Sequence, residues 1–300
     1  MLSHYLSFSE DRRGQLGKYF ALINQGKSNL EAAEGAFGSL SKLNRDLDRY
    51  QRSNIRGVEV TFPDYIMPDV TVRPLTDAEA AIMPYRIESS AGVDEKEAAR
   101  LVEPVRNLAA QYPTSLPVLL ELTEAEFDLS NYDASETAAK QILQIDPDNV
   151  RAHVYLGNIA LRRAEEDSSQ FAIARSTFAL ATKLAPRNPQ PLFGYYLSYR
   201  LAGLTPPEDA LIALEMAYEF APFDDSIRTA LAHLLLIEQR NSDALAVLTP
   251  IANNPHGGKR AKKIHELAQD IAAGETSEAL AYLAPKLGKP EDEEEGDDDE

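Results

Sequence analysis

Residues 174–186 read ARSTFALATKLAP, and this stretch decides the fold. Ala174, Phe178 and Ala181 fall on one helical face as a small, a large and a small residue, and Pro186 stops the helix because proline has no amide to donate. One such segment would be an ordinary buried helix, but the pattern recurs. The prolines of QYPTS, IDPDN, LAPRN, FAPFD and NNPHG stand at Pro113, Pro147, Pro186, Pro222 and Pro255, spaced by 34, 39, 36 and 33 residues. The offsets recur too, as Ser135, Ala139, Ile142 and Pro147, and as Ala210, Leu214, Ala217 and Pro222. A last copy has Ala244, Leu248 and Ile251, with Pro255 one position early. A period of this length marks an array in which each repeat is one supersecondary unit.

Each such helix is preceded by another. In NVRAHVYLGNIALRR, Leu156 and Gly157 form a large and small pair and Ala160 follows three residues later. The corresponding residues are Leu119 and Leu122, then Leu192, Tyr195 and Tyr199, then Leu231, Ala232 and Leu235. A small residue on one helix lets the other approach, and larger residues fill the space between. Four units in this pattern resemble tetratricopeptide repeats. Insertions in AEEDSSQ and LTPPED lie between paired helices, where extra loop length costs little. The first unit departs from the pattern, with Thr123 and Glu126 where a small residue and an aromatic are expected. Upstream, TDAEAAIMPYRI and DEKEAARLVEPVRNLAAQYP form a degenerate opening pair, with Pro84 counting against the first helix. Downstream, GKRAKKIHELAQDIAAG and SEALAYLAPKLG form a capping pair. The expected units are 76–115, 116–149, 150–188, 189–224, 225–256 and a cap at 257–288.

Residues 1–56 are helical in a different pattern. SEDRRGQLGKYFALINQG begins at a Ser9 cap and presents Leu16, Tyr19, Phe20 and Ile23; SLSKLNRDLDRYQRS places Leu40, Leu43, Leu47 and Tyr50 at helical spacing. In 57–75, GVEVTF and DVTVRPL alternate as two strands of a short β ribbon. HYLSFSEDRRGQLGKYFALINQG, EAAEGAFGSLSKLNRDLDRY and VRPLTDAEAAIMPYRI resemble the C-terminal helices of a bacterial gluzincin-type metallopeptidase-like domain and its link into tetratricopeptide repeats. That resemblance implies a zinc motif, HExxH, upstream of Met1, so that residues 1–56 would be the remnant of a larger peptidase-like protein. Within the chain, HELAQ offers His265 and Glu266, but Gln269 stands where a second histidine must share the helix face. The expected architecture is all-α: a tetratricopeptide-type right-handed helical repeat array behind a helical remnant and a β ribbon.

Charge narrows the function. The 300 residues include 30 basic and 48 acidic side chains, a net charge of -18, which repels nucleic acid and anionic lipid. Nine of the acids lie in EDEEEGDDDE, so 289–300 reads as a disordered acidic tail. There is no cysteine, which removes disulfides, thiolate metal sites and thiol catalysis. No run approaches the roughly 18 apolar residues of a membrane span, and the N-terminus lacks a signal peptide's pattern, so the chain as written is expected in the cytoplasm, and in the periplasm or outside the cell if it is a fragment of an exported parent. His4, His153, His233, His256 and His265 are isolated from one another, and carboxylate pairs such as Glu121 and Glu124 are common in soluble helices. No nucleophile elbow, phosphate loop or dinucleotide fingerprint is present. Neither an enzyme nor a cofactor is expected from these residues.

A protein-interaction scaffold remains. The tetratricopeptide resemblance implies that first helices line a concave groove, and it assigns groove positions residue by residue. In the first unit these are Leu120, Glu124 and Phe127, and in the second Arg151, Val154, Asn158 and Arg162. The third unit adds Phe193, Leu197 and Arg200, and the fourth Thr229, His233 and Leu236. With Asn158, the arginines Arg151, Arg162 and Arg200 can grip a carboxylate or an extended peptide backbone, unless neighbouring acids already hold them. The carboxylate-clamp pattern of chaperone-binding members is absent, because the first-unit positions hold Leu120 and Glu124.

Overall fold

A computed structural model describes residues 1–53, 55, 57, 62 and 69–286. Every regular element among the described residues is helical. Two compact units emerge, Met1–Thr71 with Thr249–Gln269, and Val72–Leu248 with Asp270–Glu300.

The first unit contains α1 (Leu2–Phe8), a 3-10 turn (Glu10–Arg12), α2 (Gln15–Asn24), α3 (Asn29–Phe37) and α4 (Leu40–Gln51). Its core is Tyr5, Leu6, Ala36, Phe37 and Leu43, with Leu16, Tyr19, Leu40, Leu47 and Tyr50 packed around it. Phe20, expected on the apolar face, is exposed. Ser9 ends α1 and holds the N-cap position of the 3-10 turn without a side-chain capping bond, and the chain turns again at Gly14, whose φ of 81° suits a residue without Cβ, before α2 begins. Ser28 and Glu31 form a reciprocal capping box on α3. Arg12 is buried between helices, donating to the Phe37 carbonyl at 3.2 Å and to Asp46 at 2.7 Å.

The expected β ribbon is not present among the described residues. DVTVRPL is irregular, with Val70 and Val72 exposed, and a strand with no face to bury has little to hold it. Arg73 instead binds Glu79 at 2.6 Å, and Glu79 closes a capping box with Thr76. Most of GVEVTF and the whole acidic tail lie outside the described residues.

The second unit is a succession of helix pairs. They are α5 (Asp77–Ser90) with α6 (Glu95–Gln111), α7 (Leu116–Asp128) with α8 (Tyr132–Ile145), α9 (Val150–Arg163) with α10 (Gln170–Leu184), and α11 (Pro189–Arg200) with α12 (Glu208–Phe220). Further along the chain come α13 (Asp225–Ile237) and α16 (Ser277–Tyr282), which pack against each other, while the residues of α14 (Asn241–Ala252) and α15 (Gly258–Ala273) are divided between the two units at Thr249 and Gln269. Each pair also touches the next, through α8 and α9, α10 and α11, and α12 and α13.

The residues at the recurring offsets are the most deeply buried of their helices. Ser135, Ala139, Ile142, Ala174, Phe178, Ala181, Ala210, Leu214, Ala217, Ala244 and Leu248 are wholly buried. Phe178 shows why small residues matter, since a Cβ at Gly157 on α9 would meet its ring at 2.6 Å and one at Gly194 on α11 at 2.5 Å. The ring is held between two glycines from successive pairs.

Both anomalies of the opening units have physical explanations. Thr123 is wholly buried but donates to the Leu119 carbonyl at 2.8 Å, while Ser135 donates to the Thr123 carbonyl at 2.8 Å. Glu126, also buried, receives Arg106 of α6 at 2.6 and 2.8 Å and Asn131 at 2.8 Å. An ion pair thus fills the place expected of an aromatic ring. Helix α5 runs through Pro84 because Ile82 is buried against Val102, Val105 and Val118 and the Thr76 box secures its start. Tertiary packing there outweighs the missing amide.

Candidate functional site

The first helices α7, α9 and α11 contact one another in order, so their shared face is continuous across three pairs. At its start, Glu124 of α7 and Arg151 of α9 form an ion pair, and Arg151 lies 5.9 Å from the centre of the Tyr155 ring. Phe127 packs against Tyr155 and Tyr132, with centroids 5.5 and 5.6 Å apart. Below them Glu121 is almost completely buried, and burial, reinforced by the neighbouring charge of Glu124, pushes its carboxyl up to about 7. Ser89, Arg86 and Arg151 act in the opposite direction.

The other proposed groove positions divide by burial. Val154, His233 and Leu236 are buried, and Leu120 and Leu197 are partly buried against the hydrophobic clusters around Leu119 and Phe178. Phe193, Asn158 and Thr229 are half-buried, and the Thr229 hydroxyl returns to its own helix by donating to the Asp225 carbonyl at 2.8 Å. Five of these positions therefore contribute packing as well as, or in place of, an open surface.

The arginines separate clearly. Arg151 is held by Glu124, whereas Arg162 and Arg200 have neither a carboxylate nor a hydrogen-bond partner for their side chains among the described residues. Both lie in the last turn of their helices, where a cation complements the helix dipole. Other arginines of this unit are engaged: Arg163 binds Asp133 at 2.6 Å and Glu136 at 2.8 Å, and Arg175 donates to the Ser198 carbonyl at 2.9 Å and lies 4.9 Å from the Tyr199 ring centre.

Sequence spacing did not single out Tyr155, Tyr196 or Gly194, and it passed over Glu121 as one of many surface acids. Tyr155 looks like an ordinary repeat aromatic until Phe127 of α7 is set beside it. Gly194 had a usable signal, a glycine on the helix after Phe178, but it stands two positions before Tyr196, the residue that spacing aligns with Gly157.

His265 lies on α15 with its Nε2 3.1 Å from the Gln269 amide nitrogen, so HELAQ presents one imidazole beside an amide. Among the described residues no three His, Asp or Glu side chains gather as a metal site, and no helix is long and apolar enough to cross a membrane.

No family model matches the chain. A 91-residue stretch is 34% identical to Superkiller protein 3 of Saccharomyces cerevisiae, spanning 28% of this chain and 6% of that protein. A thermophilic TPR protein of Thermus thermophilus, TTC0263, aligns over 68% of this chain and 99% of its own at 20% identity, with a TM-score of 0.49. The period, the helix pairing and the buried offsets describe a tetratricopeptide-like helical repeat on the chain's own geometry.

Proposed function

We propose that the protein is a noncatalytic interaction scaffold whose second unit is a tetratricopeptide array, holding a peptide or partner surface against α7, α9, α11 and α13. The observation behind this reading is the pair Arg162 and Arg200, which lack acidic partners among the described residues in a chain of net charge -18. In such a chain nearby acids normally neutralise arginines, as they do Arg106, Arg151 and Arg163. Two guanidinium groups left open on neighbouring first helices offer planar, bidentate donors to an incoming chain. Aromatic surface at Phe127, Tyr155 and Phe193 adds apolar contact with little loss of side-chain entropy.

The test is peptide display against the full chain, with affinities of selected peptides measured by calorimetry. Selected sequences should lose at least tenfold in affinity for the double variant Arg162→Gln, Arg200→Gln, whose thermal unfolding should match that of the parent. Failure to select any peptide, or equal affinity for parent and variant, would sink the proposal.

A further inference from the structure

Helix α15 carries its charge against its own stability. Ala261, Ile264, Leu267 and Ile271 are buried and leave the opposite side of the helix to solvent. The helix opens GKRAKKIHE, so Lys259, Arg260, Lys262 and Lys263 come before its first acid, Glu266. Cations at a helix N-terminus oppose the backbone dipole, and like charges a turn apart repel. Lys259 and Lys262, three residues apart and so neighbours on the helix surface, are both exposed and make no ion pair or hydrogen bond among the described residues. Glu266, one turn beyond Lys262, pairs with neither, and Arg260 and Lys263 are half-buried.

The complementary charge lies a short way along the same chain. Nine of the ten residues in 291–300 are Asp or Glu, the opposite extreme of local charge to the opening of α15. Only residues 274–276 separate α15 from α16, and 283–290 link α16 to the acidic run. Extended at ~3.3 Å per residue, 287–300 reach about 46 Å, nearly twice the ~24 Å length of α15.

A tethered segment is present at roughly millimolar effective concentration, which favours it over a free acidic peptide. We propose that the acidic run 291–300 of this same chain docks on the basic opening turns of α15, with its carboxylates on Lys259 and Lys262. Docking relieves two repulsions at once, that among the cations of α15 and that among the acids of the run. An ammonium is a point charge on a flexible stem, so any of several carboxylates can serve each lysine, and the contact weakens as salt screens it. It is independent of the groove on α7, α9, α11 and α13.

Lysine reactivity tests the docking in the full chain. Acetylation by a limiting amount of the N-hydroxysuccinimide ester of acetic acid is read lysine by lysine by mass spectrometry. At low salt, Lys259 and Lys262 should react at least threefold more slowly than in a full-length variant with the nine acids of 291–300 changed to the corresponding amides. Lys183, exposed on α10, should react alike in both. Sodium chloride at about 1 M, where the screening length falls to ~3 Å, should erase the difference. Carbodiimide crosslinking should join 291–300 to Lys259 or Lys262 within one chain, at a yield independent of protein concentration. Equal acetylation of Lys259 and Lys262 in chain and variant would overturn the proposal. So would crosslinks centred on Lys183 or spread evenly over the exposed lysines. Crosslinks between chains that rise with concentration would place a second copy's acidic run on α15 and overturn docking within the chain. Peptide display reads the groove alone, so its failure leaves this docking standing.

Discussion

Phe178 is the point at which sequence pattern becomes stability. Its ring occupies the space that Gly157 and Gly194 leave open, and a methyl group at either glycine would have to displace a packed aromatic. Gly157→Ala should therefore destabilise the protein by about 1–3 kcal/mol, the usual cost of overpacking, even though alanine is the better helix former by ~1 kcal/mol. Urea denaturation should show the loss as a lower midpoint with unchanged slope. Phe178→Leu removes the ring edge that the new methyl would strike. The double variant Gly157→Ala, Phe178→Leu should then be more stable than the sum of the single effects predicts, and strict additivity would mean that the two residues do not touch. Gly157 was legible from its place beside Leu156. Gly194 was not, because contact with the preceding pair obeys no spacing within its own unit.

At the scale of the helix, two buried titratable groups oppose each other over nearly the same pH window. Glu121 on α7 is held up at about 7 from an ordinary value of 4.5, so between those values the folded chain keeps a proton that the unfolded chain releases. Its contribution to stability falls as pH rises through that window. His233 on α13 is held down at about 4 from 6.5, so there the unfolded chain binds the extra proton and stability falls as pH drops. The wild-type profile should look flatter than either group alone would make it. Glu121→Gln should gain on the parent as pH rises from about 4.5 to 7, and His233→Gln should gain as pH falls from about 6.5 to 4, both read from urea midpoints across the range. Parallel profiles for parent and variants would show that neither group is shifted. The helices themselves were legible from the apolar period, and Pro84 misled because its cost is local while the burial of Ile82 depends on α6 and α7. Of the ribbon expected at 57–75, the described half, DVTVRPL, is irregular, since alternation makes a strand only where it has a face to bury.

Across the whole second unit, stability should follow the logic of an array. Each pair touches chiefly its neighbours, through α8 and α9, then α10 and α11, then α12 and α13. Arrays of this kind are sums of repeat and interface terms, so damage to one interface need not be shared equally by distant pairs. Spacing could locate the pairs because the close-packed positions repeat, whereas the candidate site was only half legible: which arginine lacks an acid depends on side chains contributed by other pairs. Arg151, Arg162 and Arg200 look equivalent in sequence, and only the arrangement of α7 beside α9 gives Arg151 its Glu124. The same locality allows a sharp prediction. Phe178→Ala opens a cavity between α9, α10 and α11, at a cost of about 3–5 kcal/mol. Hydrogen exchange should lose protection first in α9 to α12, while α6 and α7, fastened to each other by Arg106 and Glu126 at 2.6 Å, keep theirs until a higher denaturant concentration. If protection instead fell equally from α5 to α13, the unit would be unfolding as one cooperative block, and its repeats would not be the units in which its stability is held.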